Sequence, residues 1–174
     1  MNIRQATEND LDAILSIYEK ARRYMRESGN PTQWGFSYPP AGLITSDIEN
    51  GDLFVGTDDS DIPHFVFGFF EGPDPTYNII EDGAWPNDAP YRAIHRIASD
   101  GTIKGAVSHA VSFASQFTDE LRIDTHEDNK TMQHVLEKLG FVKCGKIYTS
   151  EGSPRIAYQR SDQKAQNEKS KIEE

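Results

Sequence analysis

Apolar residues change their spacing several times along this chain, and each change marks an element. Leu11, Ile14, Leu15, Tyr18, Ala21 and Met25 form one stripe at helical spacing and predict a first helix over Glu8–Glu27. Thr7 with Asp10 three residues on is close to a capping box, and Ser28-Gly29-Asn30-Pro31 stops the helix. Leu43, Ile44 and Ile48 predict a shorter helix over Ala41–Glu49, ended by Asn50-Gly51. Asn2–Ala6 and Leu53–Gly56 read as strands. Phe65, Phe67 and Phe69 alternate with Val66, Gly68 and Phe70, which predicts a strand closed by Glu71 and covered on both faces.

The second half opens with a strand, a loop and a helix. Ile94–Ala98 is a short apolar run, Ser99–Ile103 breaks it, and from Lys104 the residues Ala106, Val107, Ala110, Val111, Ala114 and Phe117 fall at helical spacing. The first amides of such a helix lack carbonyl partners and carry its positive dipole end, so Gly105 would let a phosphate approach bare backbone. Gly101 and Gly105 would equally serve as plain chain reversals. Leu121 and Ile123 mark a strand over Glu120–Thr125. Asp128 or Asn129 caps a helix with Met132, Val135, Leu136 and Leu139 on its apolar side and Gly140 at its end. Phe141–Tyr148 and Arg155–Arg160 read as a hairpin turning through Ser150-Glu151-Gly152-Ser153. One domain is expected over residues 1–160, followed by a charged, disordered tail over Ser161–Glu174.

Three connecting stretches remain. Asp58-Asp59-Ser60-Asp61 clusters carboxylates but lacks the glycine and distal glutamate of a calcium loop, and reads as a turn. Gln33–Pro40 is aromatic-rich without a period, so Trp34, Phe36 and Tyr38 either line a pocket or close the core. Gly72–Pro90 is a long, proline-rich connection with an ordered piece at Tyr77–Ile80. Connections of that length in a compact domain tend to carry function, which makes Tyr77, Glu81, Asp82 and Trp85 candidates for substrate contact.

Composition narrows the function. The chain has 174 residues, 36% of them hydrophobic and 26% charged, as expected of one soluble globular domain. A formal charge of −10 with scattered basic residues argues against a nucleic-acid partner. Cys144 stands alone, without a disulfide or a cysteine zinc cluster, and reads as a packed strand residue. No leader and no apolar run long enough for a membrane is seen, which predicts a cytoplasmic location without membrane attachment. Asp124, His126 and Asp128 alternate on an extended segment, but with no second cluster and Asp128 able to cap a helix, no metal is expected.

This order of elements, with two motifs, resembles the GNAT superfamily of N-acetyltransferases. The family's phosphate-loop positions fall on Thr102, Gly105 and Val107, of which the glycine matches. Its second motif falls on Asn129, Met132, Leu136, Gly140 and Phe141, with departures at Met132 and Leu136. The resemblance covers Asn2 to Arg160. It implies an α/β fold in which a mixed, mostly antiparallel sheet of six to seven strands is flanked by about four helices. It also implies an acetyl-coenzyme A site: Ile97 and Ser99 beside the pantetheine arm, and Thr102, Lys104, Gly105, Ala106, Val107 and Ser108 around the pyrophosphate. Asn129 would touch the cofactor or order water, while also serving as a helix cap.

The implied chemistry is direct attack of a neutral amine on the thioester. His95, on the central strand, is the candidate general base, although a histidine there also serves as a sheet residue, and His126 is held in reserve. The family's usual tyrosine acid would fall on Leu136, which donates nothing; Tyr148, Tyr158 or water would have to replace it. Trp34, Tyr38, Tyr77 and Trp85 are the expected acceptor contacts, the acceptor being a small-molecule or peptide amine. A non-catalytic coenzyme A-binding sensor or interaction module is the alternative. Apolar strands near the C-terminus would permit a homodimer.

Overall fold

The computed structural model describes residues 1–162. The chain alternates strands and helices as β1 (Asn2–Gln5), α1 (Leu11–Glu27), α2 (Ala41–Glu49), β2 (Leu53–Thr57), β3 (Pro63–Glu71), β4 (Arg92–Ser99), α3 (Ala106–Ala114), β5 (Glu120–Thr125), α4 (Lys130–Lys138), β6 (Val142–Tyr148) and β7 (Pro154–Ser161). Ser161 closes β7, and the Asp162 N–H donates to the Asp119 carbonyl at 2.7 Å, so order extends past the expected boundary at 160. The rest of the expected tail, 163–174, lies outside the described residues.

Two helix boundaries differ from expectation for local reasons. The Asp10 carboxylate accepts from the Thr7 N–H at 2.8 Å and from Arg4 at 2.7 Å, and the turn Glu8–Asp10 tightens to a 3-10 helix before α1. The helix expected from Lys104 to Phe117 spans only Ala106–Ala114. Gly105, left-handed at φ 75°, blocks its extension backwards. At the other end the Ser115 hydroxyl donates to the Val111 carbonyl at 2.8 Å, and Gln116 and Phe117 donate three residues back, closing the helix early.

The strands form one seven-stranded sheet in the order β1-β2-β3-β4-β5-β7-β6. Among the described residues only β4 and β5 run parallel. The Phe65, Phe67 and Phe69 side of β3 joins Ile94, Ile97, Ile123 and residues of α3 and α4 in one core. The Val66 side joins Ala98, Leu53, Val55 and the stripes of α1 and α2 in another, as the double alternation of β3 requires. On that second face the long connection brings Tyr77 onto Ala93, Ile147 and Ala157. Glu81 of the connection then exchanges backbone hydrogen bonds with Lys146 and covers the edge of β6.

The middle of the sheet is interrupted twice. β4 pairs with β5 only at Arg92–Leu121 and Ala93–Arg122, and beyond these the strands part. On its other side, β4 is in register with β3 at His95–Gly68 and at Ala98–Val66, so Arg96 and Ile97 together oppose Phe67. This is a β-bulge, and Arg96 takes the left-handed φ of 52° within it.

Candidate active site

The bulge sets which way the β4 side chains point. Ile94 and Ile97 enter the α3–α4 core, whereas His95 and Arg96, although consecutive, both reach Phe70 on the opposite face, 5.6 and 5.0 Å from its ring centre. There they line a cavity of about 690 Å3 at the parting of β4 and β5. Arg96 is neutralised by Asp47 of α2 at 2.6 Å, and its carbonyl accepts from the Tyr18 hydroxyl at 2.8 Å.

His95 sits between two carboxylates. Its Nε2 lies 2.6 Å from Oδ2 of Asp74, and its Nδ1 lies 3.7 Å from Oδ2 of Asp124. A carboxylate only accepts, so the Nε2 proton is directed to Asp74 and Nδ1 is left as the basic nitrogen. Asp74 is itself fixed: its Oδ1 accepts from the Thr76 N–H and hydroxyl, and its N–H donates to the Tyr91 hydroxyl at 2.7 Å. Burial raises its carboxyl, but the hydrogen bonds from His95 and Thr76 outweigh burial and hold it at about 2. Asp124 accepts from the Tyr77 hydroxyl at 2.6 Å, and burial pushes that phenol well above its usual range, so it stays neutral and donates.

The aromatic stretch after α1 forms the opposite wall. Trp34 is buried edge-on against Tyr18, while Phe36 and Tyr38 stay exposed, and all three line the cavity. Both readings of this loop hold at once, since Trp34 closes the core and also faces the cleft. Gln33 fastens the loop: its side-chain oxygen accepts from Asn30 at 2.8 Å and Asn129 at 3.1 Å, and its carbonyl from Arg155 at 3.4 Å. Asn129 caps α4 as well, accepting from the Met132 N–H at 3.1 Å.

Ile97 and Asn129 line the cavity with His95; Ser99, which ends β4, lies outside its lining, and so do Thr102, Lys104, Gly105, Ala106, Val107 and Ser108 on the loop and helix end that follow. Thr102 bonds to Asp100, and Lys104, Gly105 and Ser108 are exposed. The first hydrogen bond of α3 runs from the His109 N–H to the Gly105 carbonyl, which leaves the preceding amides without intrahelical partners.

Two of the expected substrate contacts, Tyr77 and Trp85, lie outside this lining. Tyr77 is 1% exposed and does not line the cavity; it supports Asp124 from behind. Trp85 is likewise absent from the lining, with its ring 3.9 Å from the Arg122 guanidinium and its Nε1–H donating to the Tyr77 carbonyl. Glu81 and Asp82 are exposed and lie away from the lining, and so do the reserve groups His126, Tyr148 and Tyr158. Leu136 is fully buried. Sequence reasoning missed Asp74, Gln33, Arg96 and Arg155. Only Asp74 carries a local signal, an Asp-Pro-Thr turn.

Searches with family models and among curated proteins find no match. Solved structures do match: a GNAT-family acetyltransferase from Streptococcus agalactiae 2603 is 33% identical, with 94% of this chain and 96% of that one covered and a TM-score of 0.83. The chain belongs to the GNAT family of acetyltransferases. A putative acetyltransferase from Staphylococcus aureus Mu50 (23% identity, 92% and 99% covered, TM-score 0.67) and a GNAT-family acetyltransferase from Listeria monocytogenes 4b F2365 (21%, 92% and 94%, 0.68) share the fold of this GNAT chain. Among its described residues no helix is long and apolar enough to cross a membrane, and no cluster of three metal-ligating side chains occurs.

Proposed function

We propose that the protein transfers an acetyl group from acetyl-coenzyme A to a primary amine of a small molecule or peptide, with His95 as general base. The observation that carries this reading is the His95–Asp74 pair at 2.6 Å on the wall of a cavity where β4 and β5 part. The backbone of Ile97 and Ser99 borders the parting and would pair with the pantetheine arm. The open amides from Lys104 to Ser108, with Thr102 beside them, would receive the pyrophosphate. Asn129 borders the same cleft, and Trp34 and Tyr38 form the acceptor side.

The amine sheds its first proton to solvent and attacks the thioester carbonyl. The N–C bond forms, the proton leaving nitrogen passes to Nδ1 of His95, and Asp74 stabilises the imidazolium. The C–S bond then breaks and the thiolate takes a proton from water, since Leu136 offers none. A backbone amide at the bulge would be suited to the carbonyl oxygen as charge develops there.

The test follows free thiol while the protein is incubated with acetyl-coenzyme A and a library of amines. Release should depend on the acceptor. His95→Gln should lower kcat by about 10²–10⁴-fold, with calorimetric coenzyme A affinity retained. Tight coenzyme A binding with no acceptor-dependent release would replace this reading with a non-catalytic binding module. Absence of binding would end both.

A further inference from the structure

Among the charged side chains on the cavity wall that the chemistry above leaves unused, with Glu71, Arg96, Asp124 and Glu151, Arg155 is distinguished by its partners. It begins the described core of β7 at 9% exposure and lines the cavity. Nη1 donates to the Ser153 hydroxyl at 2.6 Å and the Pro154 carbonyl at 2.9 Å, and Nη2 to the Gln33 carbonyl at 3.4 Å. All three acceptors are neutral. No carboxylate of the described residues forms an ion pair with it. The neighbouring basic side chains differ, because Arg96 has Asp47 and His95 has Asp74, each at 2.6 Å. A buried guanidinium without a contacting carboxylate is costly: burial lowers the Arg155 pKa, and the more distant charge of Asp124 works against that.

Asp124 is paired in register with Ala157, two residues from Arg155 on the same face of the sheet, next to His95. Diagonal neighbours of this kind have Cα atoms about 7–8 Å apart. A negative and a positive group therefore flank the place where the amine would react. A diamine would set its second charge against Arg155, whereas an acceptor with a carboxylate beside its amine satisfies both groups. Building on the amine-transfer reading, we propose that the acceptor is a small amino acid or amino-acid-like zwitterion, whose ammonium is drawn to Asp124 and whose carboxylate is held by Arg155.

Thiol release is compared for amino acids and for the same compounds as carboxamides. In the wild type, kcat/KM for the acid should exceed that for the amide by about 10–100-fold, the worth of a charged hydrogen bond. Arg155→Met should bring the ratio towards one, mainly through KM, and Arg155→Lys should keep part of it. Equal use of acid and amide by the wild type overturns the assignment while acetyl transfer stands, and so does an undiminished ratio in Arg155→Met. Where Arg155→Met does not fold, the wild-type ratio and Arg155→Lys decide. If no amine releases thiol, the transfer reading has failed. The shift in wild-type Tm with amino acid against carboxamide, in the presence of coenzyme A, then judges Arg155 alone, and equal shifts overturn the proposal.

Discussion

Gly105 holds φ at 75°, a conformation that costs a residue with a Cβ about 1–2 kcal/mol. Space is not the constraint, since an added Cβ would meet nothing nearer than the Ser108 Cβ at 3.8 Å. A branched side chain would also stand over the open amides of α3. Gly105→Val should therefore lower stability by about 1–2 kcal/mol in urea unfolding and weaken coenzyme A binding several-fold by calorimetry. Unchanged binding would move the pyrophosphate elsewhere. The places of Gly105 before α3 and of His95 within β4 were readable in the sequence, because the change of apolar period marks the strand, the loop and the helix. Asp74 was not, because it lies 21 residues before His95 in a proline-rich stretch with no period, and only the fold places them 2.6 Å apart. Arg155 reads as any strand-edge cation until burial and its missing partner are known. Tyr77 and Trp85 show the converse: an aromatic residue in a long connection has the same appearance whether it faces a ligand or a core.

At the scale of elements, the loop before α3 is held from outside. His64, near the start of β3, places Nδ1 2.8 Å from Asp100 in that loop and Nε2 2.9 Å from Asp58 in the β2–β3 turn. Asp100 also accepts from the N–H and hydroxyl of Thr102. With a carboxylate at each nitrogen both must donate, so the arrangement requires the imidazolium, and the hydrogen bonds to Asp58 and then Asp100 raise the His64 pKa. Because the folded pKa is raised, the tie is complete below the unfolded value of about 6.5 and is lost as pH climbs through the higher folded value. Coenzyme A affinity should fall across that window in the wild type, and His64→Gln should flatten the profile in calorimetric titrations. A parallel fall in both proteins would show that the tie does not govern the loop. The alternation in β3 and the stripes of α1 and α4 made these elements legible. The bulge in β4 was not, because Arg96 and Ile97 break a period that spans only a few residues.

Over the whole molecule, the connection from Gly72 to Tyr91 ties the far half of the sheet to the cavity. Arg122 of β5 is buried between the rings of Trp85 and Tyr91, each 3.9 Å from its guanidinium carbon, and donates to the Gln159 side chain and the Asn87 carbonyl. Tyr77 passes from this stack to Asp124, and Asp74 of the same connection reaches His95. The connection thus supports the cavity wall from behind, while the Gln33–Tyr38 loop lines the cavity. Two substitutions separate these roles. Trp85→Ala removes half of the Arg122 stack and should cost about 2–3 kcal/mol, somewhat less than a fully buried tryptophan, which is about 5–10 °C in Tm for a domain of this size. The ranking of acceptors should be unaltered. Phe36 is 78% exposed beneath the Arg26 guanidinium and lines the cavity, so Phe36→Ala should hardly move Tm but should change acceptor KM. An altered acceptor ranking in Trp85→Ala would return the connection to the binding surface, because a purely supporting element lowers stability without choosing between substrates.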